Sequence, residues 1–371
     1  MKIIYLTQAG KLFRWNLKSL LFLSCALFVF ASCSKSEVDY KSAIKPHGPV
    51  PTWGPTITPE MQAVIEKLES FKTPPLETLT PAEARKTPSP TDAVKALMQE
   101  NNIPMPPSNA DTVGKDIPVQ GGQIHLRIYT PKTGSGPFPV IVYYHGGGWV
   151  IANLDTYDPS ARSLSDKTGS VVVSVAYRQA PEFKFPTAPN DSFEAYKWVL
   201  AHAGDIKGNA NKIAVAGESA GGNLAAAVSI LARNCKIKLP VHQLLVYPIA
   251  NYDFNSESYL KYANAKPLSK PLMQWFFMHY LSNPAEGKSP LISLVNANLA
   301  GLPPTTIIGA EIDPLQTEGK LLADRLISAG VQVNYKLYTG VTHEFFGMAA
   351  VVKEARQAQD YAAEQLLKNL K

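Results

Sequence analysis

Ser219 stands in the run Gly217-Glu218-Ser219-Ala220-Gly221-Gly222, between a short apolar stretch, Ile213 to Ala216, and a long run of small and apolar residues, Asn223 to Cys235. This pattern predicts a buried strand, a tight turn and a helix. Leu224, Val228, Leu231 and Cys235 recur at helical spacing and predict the apolar face of that helix. Glycines on either side let the backbone reverse around a side-chain-bearing residue, the G-x-S-x-G elbow. Such a turn lifts a hydroxyl above the strand end, where the helix aims its unpaired first amides and the positive end of its dipole. Ser219 is therefore a candidate nucleophile and the Ala220 amide a candidate oxyanion donor. An ordinary glycine-rich turn can be spelled the same way, so the other groups that acyl transfer needs must be found elsewhere.

A second glycine cluster, His145-Gly146-Gly147-Gly148-Trp149, follows the apolar run Val140 to Tyr144. Successive glycines make poor strand and poor helix, but they leave backbone N–H groups free to point at an anion. Gly147 and Gly148 are thus candidate oxyanion donors alongside Ala220. Among seven histidines, His343 alone lies in a loop after the last predicted strand and completes the chain order Ser…Asp…His. His145 is read as a brace for the glycine loop. The carboxylate that orients the base must follow a strand between Ser219 and His343. Asp313, ahead of Pro314, fits best; Glu311 and Glu318 compete, and Glu318 also suits the first turn of a helix. Glu182 and Asp191 are read as structural.

In combination and order these motifs resemble the hormone-sensitive lipase family of α/β-hydrolases. His145 to Gly148 match its HGGG, Gly217 to Gly222 its GDSAGG, Asp313-Pro314-Leu315 its DPL, and His343 its histidine. Tyr177 to Glu182 with Phe185-Pro186 are similar to its YRLAPE…FP stretch. The resemblance runs from about residue 60 to 370. It implies a mainly parallel sheet with helices on both faces and a helical cap. The activity it implies is hydrolysis of short- to medium-chain acyl esters by Ser219, Asp313 and His343, with no metal and no organic cofactor. Glu218 replaces the family's aspartate and is expected to alter hydrogen bonding at the elbow; Gln179 replaces a leucine. An amidase or lactonase would share the triad, whereas a non-catalytic receptor on this scaffold would be expected to lack one of its members. Monomer and homodimer are both compatible with the family.

The elements that must position these residues follow the same order. Asp116 to Thr130 predicts a hairpin turning at Gly121-Gly122. Strands are predicted at Val140 to Tyr144, Val171 to Ala176, Ile213 to Ala216, Leu244 to Tyr247, Thr305 to Ile308 and Val333 to Leu337. Helices are predicted near Thr156 to Thr168, Pro189 to His202, Ala220 to Asn234 and Glu318 to Ala329. Such alternation argues for a parallel sheet covered on both faces, with its site at the strands' carboxyl ends. Two stretches fall outside the alternation: about 55–110, with helices at Pro59 to Phe71 and Pro90 to Glu100, and the aromatic-rich 251–290. Both are expected to form the cap.

Residues 1–32 carry Lys2, Lys11, Arg14 and Lys18, no acid, and an apolar core from Leu20 to Ala31. That layout predicts an export signal, its apolar part shorter than a membrane span. Phe30-Ala31-Ser32-Cys33 resembles a bacterial lipoprotein cleavage box and makes Cys33 the expected lipid attachment site; a cut after Ala31 would instead release a secreted protein. Residues 33–54 read as a flexible tether and 55–371 as the hydrolase domain. The leader's cations account for most of the formal net charge of +6, so no nucleic-acid partner is expected. Three cysteines imply no disulfide framework.

Overall fold

The computed structural model describes residues 44–371; the leader, Cys33 and most of the tether lie outside them. The described chain runs α1 (Pro59–Ser70), α2 (Pro81–Ala84), α3 (Pro90–Glu100), β1 (Ala110–Val119), β2 (Gly122–Pro131), β3 (Phe138–Tyr144), α4 (Asp158–Thr168), β4 (Val171–Ala176) and α5 (Thr187–His202). It continues through β5 (Gly208–Glu218), α6 (Ala220–Asn234), β6 (Gln243–Val246), α7 (Glu257–Lys261), α8 (Lys270–Tyr280), β7 (Thr305–Ile312), α9 (Gln316–Ser328), β8 (Val333–Thr342) and α10 (Lys353–Leu370).

The eight strands form one sheet in the order β1-β2-β4-β3-β5-β6-β7-β8. The β1–β2 hairpin and its pairing to β4 are antiparallel; every pairing from β4 to β8 is parallel. Side chains alternate across a strand, and both faces of the central strands are apolar. Val140 and Val142 of β3 join Val171, Val173 and Val215 in the core on one side, beneath α5, α6 and α9. Ile141, Val172, Ala214 and Leu244 enter the opposite core, under α1, α3, α4 and α10. Burying each such aliphatic side chain contributes about 1.5–3 kcal/mol, which makes this sheet a rigid platform for whatever its ends carry.

α6 joins the first of these cores through Leu224, Ala225 and Val228, the alanine small enough to let the helix lie close. It ends at Asn234; Cys235 is its C-cap and is exposed. The expected placement of Cys235 on the apolar face is therefore corrected: the helix stops one residue short, and Leu224 and Val228 carry the face. α10 was not foreseen, although Ala355, Ala358, Ala362, Leu366 and Leu370 are all buried along one side of it.

The two stretches outside the alternation take different positions. The amide of Thr58, which caps α1, donates to Gly340 O at the end of β8, while residues 76–90 reach the space above Ser219. Within 251–290, α8 lies over the glycine loop, where Trp149 stacks on Tyr280 with ring centroids 4.2 Å apart and Phe276 covers Gly148. Among the described residues no helix is long and apolar enough to cross a membrane.

Candidate active site

Ser219 occupies the turn between β5 and α6 with φ 55° and ψ −119°, a strained conformation for a residue with a Cβ. Its amide donates to Val246 O at 2.9 Å, which locks the turn to the neighbouring strand. The glycines are required by space as well as by freedom. A Cβ on Gly217 would stand 2.1 Å from Gly221 O, and one on Gly221 1.9 Å from Tyr144 O.

His343 follows β8 and Asp313 follows β7, so parallel pairing of the two strands brings their C-terminal loops together. Ser219 Oγ donates to His343 Nε2 at 2.9 Å, and His343 Nδ1 donates to Asp313 Oδ2 at 2.6 Å. Asp313 is fully buried, and its second oxygen, Oδ1, accepts the Leu315 amide at 2.8 Å. Burial pulls the His343 imidazole down, but the charge and hydrogen bond of Asp313 outweigh it and, with Glu344 and Glu218 nearby, hold it above its ordinary value. The competing carboxylates are elsewhere. Glu311 accepts from Thr56 Oγ1 and the Gly340 amide. Glu318, in the first turn of α9 as expected, is buried and accepts the Ala250 and Asn251 amides; burial pushes its carboxyl well up.

Gly147 and Gly148 have φ 95° and 57°, and neither they nor Ala220 donates a backbone hydrogen bond to any described residue. The loop is held from behind. His145 stacks on Tyr177 at 4.4 Å, Tyr177 donates to His145 O at 2.9 Å, and burial drives the His145 pKa down to about 4, so it stays neutral. Gln179 donates from Nε2 to Ile151 O and Ala152 O, tying the end of the same loop; the sequence alone assigned it no role. Asp191 forms a bidentate pair with Arg178, and Glu182 one with Arg85.

Above Ser219 lies a cavity of about 110 Å³ that reaches Gly147, Gly148 and His343. Leu268, Leu272 and Phe276 wall one side; Thr156, Tyr157 and Glu344 wall another. Among the described residues no group of three or more His, Cys, Asp or Glu side chains is arranged to hold a metal ion.

A family model of the alpha/beta hydrolase fold matches residues 141–347. The chain belongs to the α/β-hydrolase family. It is 38% identical over 239 residues to a carboxylesterase of Mycobacterium tuberculosis, spanning 63% of this chain and 75% of that one. It is 32% identical over 257 residues to an ethyl acetate hydrolase of Pseudomonas putida, spanning 67% and 80%. The crystal structure of a thermostable esterase from Pseudomonas putida superimposes with a TM-score of 0.78 at 31% identity, covering 85% of this chain and 98% of that one.

Within this hydrolase scaffold a group of residues under the elbow escaped the motifs. Glu218 is fully buried; Tyr143 donates to its Oε1 at 2.5 Å and Tyr247 to its Oε2. Burial and the nearby Glu344 push the Glu218 carboxyl up to about 7. Tyr157 donates to Glu344 Oε1 at 2.6 Å. Tyr143 is next to last in β3, Tyr157 precedes α4 and Tyr247 follows β6, so only the folded sheet brings them together. The replacement at Glu218 was the one signal in the sequence that pointed to this place.

Proposed function

We propose that the protein is a serine carboxylesterase acting on short- to medium-chain acyl esters through an acyl-enzyme on Ser219. The observation that carries this reading is the continuous hydrogen-bond chain Ser219–His343–Asp313, facing a cavity beside three amides without internal partners.

His343, oriented by Asp313, takes the Ser219 proton as Oγ attacks the ester carbonyl carbon. Negative charge collects on the carbonyl oxygen, which the amides of Gly147, Gly148 and Ala220 receive. The imidazolium returns the proton to the departing alkoxide, leaving the acyl group on Ser219. Water then gives a proton to His343, attacks the acyl carbon and releases the acid, and Ser219 regains its proton. A small cavity, about 110 Å³ and walled in part by Leu268, Leu272 and Phe276, suits a short acyl chain. The ester-hydrolysing relatives support the same reaction class.

We further propose that the leader exports the chain and that Cys33 carries a lipid, the tether holding the enzyme off the membrane surface. Labelled acyl incorporation that persists in Cys33→Ser would rule out that anchor.

The test of activity is hydrolysis of a chromogenic acyl-ester series by residues 34–371 and by its Ser219→Ala form. Turnover that peaks at short chains and vanishes in the variant is expected. A folded protein inactive on every chain length would instead direct attention to amides and lactones.

A further inference from the structure

Glu344 is the charged wall of the cavity that the hydrolytic scheme leaves unused. Its backbone is left-handed, φ 70°, and its Oε1 lies 3.9 Å from His343 Nε2. Tyr157 fixes Oε1 at 2.6 Å, whereas Oε2 accepts from no described residue and is not sealed from solvent. The side chain is 19% exposed, and that exposure opens onto the cavity it lines.

Among the described residues His343 alone pairs with this carboxylate, and no lysine or arginine does. Among the described residues Arg85 is the one arginine or lysine on the cavity wall, and its donors are engaged. Nε donates to Val150 O, and the terminal nitrogens donate to Ala180 O and to both oxygens of Glu182. His343 is paired to Asp313 on its other nitrogen. Under the elbow, Glu218 adds a second carboxyl, faced by the hydroxyls of Tyr143, Tyr247 and Ser160 and by no cation. Burial raises both carboxyls. Glu218, wholly enclosed, is pushed up to about 7, while His343 and the Tyr157 hydroxyl offset part of the effect of burial at Glu344.

The position also decides which part of a substrate meets this charge. Nε2 must hand its proton to the leaving alkoxide, so the alcohol's substituents lie beside Nε2, where Glu344 stands. We propose that Glu344 is a specificity-determining residue that reads charge on the alcohol side, favouring esters of cationic, ammonium-bearing alcohols and disfavouring anionic ones. This rests on the esterase reading above. With two unit charges about 6 Å apart, and an effective dielectric between that of a protein surface and that of water, the preference is about tenfold.

The deciding comparison is between acetylcholine and 3,3-dimethylbutyl acetate, which share a shape and differ in one positive charge. The wild-type ratio of kcat/KM should favour the cation about tenfold, shrink as ionic strength rises, and fall to near parity in Glu344→Gln. A wild-type ratio at or below one, a ratio indifferent to salt, or one that survives Glu344→Gln overturns the assignment. The salt series needs no variant, so a poorly folding Glu344→Gln does not shield the idea. Equilibrium binding of choline against 3,3-dimethylbutan-1-ol to Ser219→Ala gives the same ratio without turnover. If neither ester nor any member of the chromogenic series is hydrolysed, the esterase reading fails while the binding ratio still decides the role of Glu344.

Discussion

Asp313→Asn separates orientation of the base from every other contribution, because the structure dictates how the new amide must sit. In the native protein Oδ1 accepts the Leu315 amide at 2.8 Å and Oδ2 accepts from His343 Nδ1 at 2.6 Å. The Leu315 N–H is a fixed donor, so the asparagine must give it the carbonyl oxygen and turn its NH2 towards His343. Nδ1 then has to accept, the ring proton moves to Nε2, and Nε2 no longer has a lone pair for the Ser219 proton. Loss of the wrong-tautomer kind costs about ten-thousandfold in kcat, or about 5 kcal/mol of barrier. Asparagine is nearly the same size as aspartate and keeps the Leu315 bond, so the fold should survive. Steady-state hydrolysis of a chromogenic short-chain ester, with circular dichroism as the folding control, measures the effect. Glu311→Gln is the companion: it loosens the ties to Thr56 and Gly340 and should keep most of its kcat. Retention of more than about a hundredth of native kcat by folded Asp313→Asn, or a comparable loss in Glu311→Gln, would refute the reasoning.

Three further outcomes follow from the geometry. Gly148→Ala places a Cβ 2.2 Å from the Phe276 ring at a φ of 57°, so the loop must shift. A displaced oxyanion donor costs about a hundred- to a thousandfold in kcat, and native-like activity in this variant would show that the Gly148 amide is not used. Only neutral His343 can accept the serine proton, and its pKa is held above the ordinary 6.5. Activity should therefore decline on the acid side through an apparent pKa above 6.5, and a pH profile of kcat/KM with its acid limb at or below that value contradicts the site electrostatics. Glu218, pushed up from 4.5 to about 7, binds a proton in the folded state that the unfolded chain releases earlier. Stability should thus fall as pH rises from about 4.5 to about 7, by on the order of 3 kcal/mol. Glu218→Gln should flatten that slope in urea titrations run across the range, and an unchanged slope would place the cost elsewhere.

The central strands and the three residues that one hydrogen-bond chain joins, Ser219, His343 and Asp313, were legible because each is written locally. Apolar runs such as Val171 to Ala176, short and β-branched, read as buried strands between helical segments, and Ser219, Asp313 and His343 each follow one. The left-handed backbone at Glu344 leaves no mark in composition or spacing, and Glu344 acquires meaning only through Tyr157, which arrives from a distant loop. The tyrosines around Glu218 come from three separate segments, so no periodicity could have joined them. Cys235 shows the opposite failure: helical spacing was extended one residue past the point where the helix ends. Gln179 was given no weight because a polar residue in a loop looks ordinary until the carbonyls it holds are seen.

The contacts of the first helix bear on the order in which the chain can assemble. The Thr58 amide needs Gly340 O and Thr56 needs Glu311, a partner 255 residues away. Closing a loop of that length carries its entropic cost before any contact rewards it. α1 can pack on α3 early, but these ties to the sheet wait until β7 and β8 have joined it. A nascent chain released before Gly340 would hold the serine elbow and the glycine loop yet leave its first helix without the Gly340 tie to the sheet, and it would lack the histidine as well. The earliest described residues and the latest are thus secured in the same closing event, and hydrolytic competence should emerge abruptly with the last strand rather than accumulate as the sheet grows.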